Sequence, residues 1–262
     1  MAYRVINSQL ICADYERTYP MIVRGEGAEL IDSDGKRYLD GSGCTAAVSS
    51  LGHAVPELVE AVKRQAETLT VHPTHLFHNE EIERYFSRLV DFAPDGFAKA
   101  WTISGGTEAV ENAIKLAFQY HRAKGRTKRR RVMGRWGSYH GNSVMALDVG
   151  GMVVRREFYT PLMSPGTLHL SPCFTYRKPE GLSIQAYEDS LVQELEETIA
   201  SHPDEIVAWV AEPIVGAALG AVEPTEHYFE RMAAVCRNHD IVLIADEVMT
   251  GFARTGTAFG CQ

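Results

Sequence analysis

Residues 241–256 read IVLIADEVMTGFARTG, an apolar run followed at once by two acidic residues. An entirely apolar run of this length is typical of a strand that is buried on both faces of a parallel sheet. Such sheets bind ligands beyond the carboxyl ends of their strands. We expect a strand over 241–248 that brings the carboxylate of Asp246 to this edge. Val248 should point the same way, because side chains alternate along a strand.

The sequence before this strand alternates between strand-like and helical segments. Strands are predicted at 98–104, 131–136 and 206–212, and helices at 107–122, 187–200 and 225–238. This alternation predicts an α/β fold with a mostly parallel sheet flanked by helices on both faces. Residues 149–185 show no clear period, and we expect a long loop there.

The N-terminal part of the chain has a different pattern. Residues 28–40, AELIDSDGKRYLD, alternate around Asp34-Gly35, which predicts a β-hairpin with a two-residue turn. Amphipathic helices are then predicted at 55–69 and 81–92. We therefore expect an N-terminal segment with a hairpin over 1–54 and a large domain over 55–262.

The composition excludes several classes of protein. The chain has 262 residues, 45% of them hydrophobic, and a net charge of −8, so neither nucleic acid nor an anionic membrane is an expected partner. Its most apolar stretch, 206–222, contains Glu212 and Pro213 and is too polar to span a membrane. The five cysteines form no CxxC pair, which favours reduced thiols in a cytoplasmic protein without a metal site.

A glycine pair precedes the helix that is predicted at 107–122. Ser104-Gly105-Gly106-Thr107 follows a strand-like segment and opens this helix. Glycines allow close approach of a ligand to the backbone, and the helix start offers unpaired N–H groups, so the segment suits a phosphate. A plain helix cap explains the same residues, because Thr is a usual N-cap.

Two further positions carry groups that suit a flat heteroaromatic ligand. Tyr139 and His140 lie between glycines just after a predicted strand, where a tyrosine ring could cover one face of a ligand. Glu212 brings a second carboxylate to the edge of the sheet. A helix cap in the loop after the strand is an alternative role for both acidic residues, and it fits Glu212 better than Asp246. The glycine pair would hold a phosphate, the small apolar Val248 would cover the other face of the ring, and Asp246 would pair with a ring nitrogen. Together with the tyrosine, these are the groups that pyridoxal phosphate needs.

The order of these motifs closely resembles the class III family of pyridoxal-phosphate-dependent aminotransferases, which have fold type I. The matching motifs are SGGTEAVENAIKLA (104–117), WGSYHGN (136–142), AEPI (211–214) and LIADEVMTGFARTG (243–256). The resemblance covers essentially the whole chain, and the pattern DEVxTGFxRTG is its most specific part. It implies a partial large domain, an N-terminal segment that belongs to a small domain, and an absent C-terminal part.

The resemblance also implies a role for each motif residue. The phosphate would be held by Gly105, Gly106 and Thr107. The ring would be contacted by Tyr139 on one face, with His140 beside it, and by Val248 on the other face. Two carboxylates would support catalysis, Asp246 at the ring nitrogen and Glu212 near the substrate.

The family's catalytic lysine has no counterpart in this sequence. In the family, a lysine some tens of residues beyond the aspartate forms a Schiff base with the cofactor, whereas the last lysine here is Lys178. We therefore expect one subunit of a split transaminase, in which a second polypeptide supplies the C-terminal half and the lysine. Two copies of each chain would form a heterotetramer that transfers an amino group from an amine or amino acid to a keto acid.

Two other functions remain open from the sequence alone. The same cofactor residues serve an aminomutase, racemase or decarboxylase of this family. A truncated, non-catalytic protein that binds the cofactor or a partner would also contain these motifs. No motif indicates which amine or keto acid is the substrate.

Overall fold

The computed structural model describes residues 3–4, 9–11, 14–44 and 48–262. It divides into two compact units, residues 1–79 and 80–262. Helix α1 (Pro56–Thr68), which was expected in the large domain, therefore lies in the N-terminal unit. The assignment of domains over 1–54 and 55–262 stays a prediction.

The N-terminal unit contains two small antiparallel sheets. Strands β1 (Tyr3–Arg4) and β2 (Thr18–Tyr19) form one of them. The other has the order β3-β4-β5, with bounds Ile22–Glu26, Glu29–Asp32 and Arg37–Leu39. Strands β4 and β5 are the predicted hairpin.

The turn of this hairpin is longer than the predicted two residues, because β4 ends at Asp32 and β5 begins at Arg37. The Asp32 carboxylate accepts hydrogen bonds from the backbone N–H groups of Asp34 and Lys36, at 2.9 Å each. It also accepts one from the Tyr38 hydroxyl at 2.8 Å. A side chain thus provides the hydrogen bonds that close this loop.

The larger unit is built on a parallel sheet with the strand order β7-β6-β8-β9. Its strands are β6 (Arg131–Arg135), β7 (Leu168–Leu170), β8 (Ile206–Ala211) and β9 (Val242–Ala245). The predicted α/β class is confirmed. The prediction of a long loop over 149–185 was wrong, because β7 pairs with β6 there and short helices, including α5 (Val153–Arg156), precede it.

Helices cover both faces of this sheet. Besides α2 (Glu80–Phe92), the unit contains α3 (Gly106–Ala123), α4 (Val144–Val149), α6 (Ile184–Ser201) and α7 (Tyr228–Asn238). Every residue of β8 is buried. Trp209 packs in the core formed with α6 and α7, whereas Val210 packs in the core with α3. The alternation of β8 side chains therefore separates two hydrophobic layers.

The predicted strand at 98–104 does not form in the described residues. This segment pairs with none of the sheet strands, and Trp101 within it is 72% exposed. An extended segment becomes a strand only when a neighbour supplies hydrogen-bond partners.

The helices of the described residues are too short or too polar to span a membrane.

Candidate active site

The predicted site residues on three neighbouring strands lie at one edge of the sheet. Strand β6 ends before the loop that holds Tyr139 and His140, β8 ends immediately before Glu212, and β9 ends immediately before Asp246. These strands run parallel, so their carboxyl ends lie at the same edge. This is the edge where parallel sheets bind ligands.

A buried histidine–carboxylate pair lies at the centre of this edge. His140 Nδ1 and Asp246 Oδ2 are 2.7 Å apart, and the two side chains are 0% and 5% exposed. Because a carboxylate only accepts hydrogen bonds, Nδ1 must carry the proton of this bond. His140 Nε2 is buried without a hydrogen-bond partner. The histidine thus fixes the position of the carboxylate instead of lying free beside Tyr139.

Strand β9 is shorter than predicted, which changes how Val248 is placed. The strand ends at Ala245, and the Val248 N–H donates to Asp246 Oδ1 at 3.1 Å. This bond closes a local turn that competes with continued strand pairing. Strand alternation therefore does not orient Val248, and that part of the prediction was wrong. Asp246 is buried, whereas Val248 is 64% exposed.

The start of α3 lies against two of the other motifs. A Cβ on Gly106 would lie 2.9 Å from Val248 Cγ2, so only glycine fits without a shift of its neighbour. A Cβ on Gly141, whose φ is +126°, would lie 2.8 Å from Thr107 Cβ. The Asn142 N–H also donates to Thr107 Oγ1 at 3.4 Å. The loop after β6 and the turn after β9 thus both contact the first turn of α3.

The first turn of α3 has the features of an anion site. Its first main-chain hydrogen bond runs from Ala109 N to Gly105 O at 2.9 Å. The N–H groups before Ala109 therefore have no partner within the helix. Gly105 is exposed and extended, and Gly106 and Thr107 are half-buried. An 18-residue helix also places the positive end of its dipole at this position.

Glu212 holds two loops together. Its Oε2 accepts from the Tyr139 N–H at 3.2 Å, and its Oε1 accepts from the Gly216 N–H at 3.1 Å. Burial raises the pKa of the Glu212 carboxyl above its ordinary value, while the nearby His140 and the two N–H donors act in the opposite direction. The geometry gives Glu212 a positioning role, and its place near a substrate stays a prediction.

We expect the stability of the protein to depend on the titration of Glu212. The folded state keeps this proton to a higher pH than the unfolded state, whose carboxyl titrates near 4.5. We compare the free energy of unfolding of the wild type with that of Glu212→Gln. This difference should fall as the pH rises from 4.5 to the raised pKa of Glu212, and it should stay constant at higher pH. Urea titrations of both proteins at a series of pH values measure this difference. A difference that is flat or increases with pH would contradict the expected sign.

Two arginines near these residues were not found from the sequence. Arg135, at the end of β6, is buried and donates from Nη2 to the Glu212 carbonyl at 2.6 Å. Its guanidinium lies within 6.0 Å of the ring centroids of Trp209, Tyr228 and Phe229. The Arg155 guanidinium lies 5.2 Å from the Tyr139 ring centroid. Neither position follows a motif, and the only signal for Arg135 is that it directly follows the non-charged residues 132–134 of its strand.

The comparison with protein families decides the identity of this arrangement. The family described as aminotransferase class-III matches residues 11–262. The chain belongs to the class III aminotransferases. Enzymes of this family depend on pyridoxal phosphate. The prediction that this chain corresponds to the N-terminal portion of such an enzyme is confirmed.

Individual relatives agree with this membership. An uncharacterized aminotransferase of Schizosaccharomyces pombe is 40% identical over 240 residues, which cover 91% of this chain and 52% of that protein. An adenosylmethionine-8-amino-7-oxononanoate aminotransferase of Geobacter sulfurreducens is 37% identical over 253 residues, with coverages of 95% and 55%. This aminotransferase chain therefore spans about half the length of the curated relatives that it matches.

A solved structure supports the fold directly. An (S)-enantioselective omega-transaminase from Thermomicrobium roseum matches with a TM-score of 0.91 and 37% identity, over 98% of this chain and 58% of that chain. The predicted fold-type I architecture of the aminotransferase chain is thus confirmed.

Most lysines of this aminotransferase chain are exposed to solvent. Six of the seven are exposed, and the half-buried Lys178 donates to the Leu182 carbonyl at 2.5 Å. In the described part of the chain, no lysine hydrogen-bonds with Asp246, Glu212 or Tyr139. Lys115 belongs to α3, but it lies nine residues beyond Gly106, or roughly 13 Å along the helix axis.

Proposed function

We propose that this chain forms the cofactor-binding part of an aminotransferase that moves an amino group from an amine or amino acid to a keto acid through pyridoxal phosphate. The observation that carries the proposal is the buried Asp246 carboxylate, which is fixed by His140 at the ligand-binding edge of the sheet. A buried carboxylate is costly unless it is paired with a cation or with hydrogen-bond donors. A protonated pyridine nitrogen is such a donor.

The residues present fit this cofactor. The helix start at Gly105, Gly106 and Thr107 suits a phosphate, and Gly106 has no space for a Cβ. Val248 is exposed although it is apolar, and the Tyr139 ring is half-buried. A flat ring between these two side chains would cover apolar surface that otherwise faces water. We therefore assign the phosphate to the helix start and the ring to the space beside Asp246.

Each of these residues would then have a separate task. When bound, pyridoxal phosphate supplies a carbonyl that takes up the amino group and a ring that withdraws electrons. Asp246 would keep the ring nitrogen protonated, and His140 would hold Asp246 in place. Glu212 would hold the Tyr139 loop against the loop that follows β8. Arg155 would restrict the Tyr139 ring by stacking.

We further propose that the reactive lysine comes from outside these 262 residues. Support comes from the positions of the seven lysines, which are exposed or bonded elsewhere. A second polypeptide that carries the lysine, in an assembly of two copies of each chain, would complete the enzyme. The four described cysteines are free thiols, which suits the cytoplasmic location that we propose, and Cys12 lies outside the described residues.

The experiment is to purify this chain from its own cells through an affinity tag, with everything that it retains. The complex would be incubated with a ¹⁵N-labelled amino acid and a keto acid, and ¹⁵N in the new amino acid would be measured. We expect transfer of the label, and transfer that is about 10²–10³-fold slower in a complex that contains Asp246→Asn. An isomerised or decarboxylated product without transfer would favour another reaction of the family. Absence of both cofactor and turnover would contradict the proposal.

A further inference from the structure

We infer that Asp40, Cys44 and His53 form a binding site for a zinc-type divalent cation in the N-terminal unit. In the described part of the chain, this is the only group of at least three His, Cys, Asp or Glu side chains whose ligand atoms all lie within 4.8 Å of one another. The spacing of 4 and 9 residues matches no cysteine motif, and no metal site was predicted from the sequence.

The distances between the three ligand atoms are close to those of a tetrahedral zinc site. Asp40 Oδ2 lies 3.5 Å from His53 Nε2 and 3.4 Å from Cys44 Sγ, and Cys44 Sγ lies 4.0 Å from His53 Nε2. Zinc bonds of about 2.0–2.3 Å at tetrahedral angles place ligand atoms roughly 3.3–3.7 Å apart. Two of the three separations already agree, and the third requires the thiol to move by a few tenths of an ångström.

The backbone holds two of the ligands before any cation arrives. His53 exchanges two main-chain hydrogen bonds with Gly27, at 2.8 and 3.1 Å. Its ring packs over Gly25, where a Cβ would lie 2.5 Å from His53 Cγ. Asp40 N donates to the Ala28 carbonyl at 2.8 Å, and the Asp40 side chain is 9% exposed. Ligands that are held in place by surrounding structure lose little entropy when they bind a metal.

Cys44 is the ligand that decides which cation fits. It has a positive φ of 59° and its N–H donates to both oxygens of Asp40, so the loop turns the thiol toward the carboxylate. Sulfur, imidazole and carboxylate together suit zinc, whereas magnesium and calcium require oxygen ligands. The Cys44 thiol now donates its proton to Asp40 Oδ2. Zinc would take the place of that proton, which would leave to solvent, and water would fill the fourth position on the exposed side.

The test is zinc binding to the untagged protein, measured by titration calorimetry on the wild type and on Cys44→Ser. The wild type should bind one zinc ion through this site, and Cys44→Ser should bind it at least about 100-fold more weakly, because loss of a ligand costs more than loss of an outer-shell partner. Cys261→Ser is the matched control, since Cys261 is another exposed free thiol, and it should bind zinc like the wild type.

Cobalt provides a readout that does not depend on stability. Co²⁺ in the wild type should show a sulfur-to-cobalt charge-transfer band in the near ultraviolet, together with the intense visible bands of tetrahedral cobalt. Both should disappear in Cys44→Ser and remain in Cys261→Ser. Equal zinc affinity of wild type and Cys44→Ser, or a cobalt spectrum without the charge-transfer band, would overturn the inference.

Discussion

Asp246→Asn should lower kcat of the assembled aminotransferase by about 10²–10³-fold, the usual effect of removing one preorganised electrostatic contact. Asn has the shape of Asp and keeps an oxygen that accepts from His140, but it has no negative charge. A neutral amide does not hold a proton on the pyridine nitrogen, so the ring withdraws electrons less strongly. The chemical step should therefore slow more than substrate binding weakens.

This expectation is checked by steady-state kinetics on the proposed complex, purified from the native cells through a tag on this chain. Asp189→Asn is the matched control, because Asp189 is an exposed carboxylate that pairs with Arg231 on the surface of the same unit. It should leave kcat unchanged. The cofactor content and the unfolding transition of each variant separate loss of chemistry from loss of folding. An Asp246→Asn complex that retains cofactor and shows wild-type kcat would exclude a pairing between Asp246 and the ring nitrogen.

His140→Leu should lower the free energy of unfolding by about 3–5 kcal/mol, because removal of one partner from a buried pair leaves the other charge without compensation. Asp246 would keep only the Val248 N–H as a donor. The buried carboxylate would then lose most of its stabilisation while remaining out of water. Denaturant titration of the purified protein measures this loss.

A double-mutant cycle distinguishes loss of the pair from loss of packing. His140→Leu should be less destabilising in an Asp246→Asn background, because no charge remains to be left unpaired. The matched cycle uses His227 and Glu230, an exposed pair at 3.5 Å, where the coupling energy should be close to zero. Equal coupling energies in the two cycles would show that burial does not strengthen the interaction between His140 and Asp246.

The parts of the fold that follow from local pattern were predictable. The apolar run that ends at Ala245 predicted β9 and the position of Asp246, and the helical pattern predicted α3, α6 and α7. The expectation that this strand is buried on both faces was wrong, because β9 is the edge strand of the described sheet and its residues Leu243 and Ala245 are exposed. The same reasoning brought the motif residues of three strands to one edge. Buried strands and long amphipathic helices are well specified because their whole apolar face must be covered.

The remaining features depend on partners that are distant in sequence. Strand β7 has only three residues, and it is a strand because β6 lies beside it. Residues 98–104 have strand-like character but no neighbour to pair with in the described chain. The hairpin loop and the end of β9 are set by Asp32 and Asp246, whose side chains accept backbone N–H groups. Such local competition by aspartate is not visible in hydrophobic periodicity.

The most direct test of this account is to find the lysine that reacts with the cofactor. The complex isolated from its own cells would be reduced with borohydride, which fixes pyridoxal phosphate to its lysine, and then digested and sequenced by mass spectrometry. We predict the pyridoxyl group on a lysine that is not one of the seven in these 262 residues, and no such label on Lys36, Lys63, Lys99, Lys115, Lys124, Lys128 or Lys178. A pyridoxyl group on any of those seven, or a complex that holds no cofactor, would contradict it.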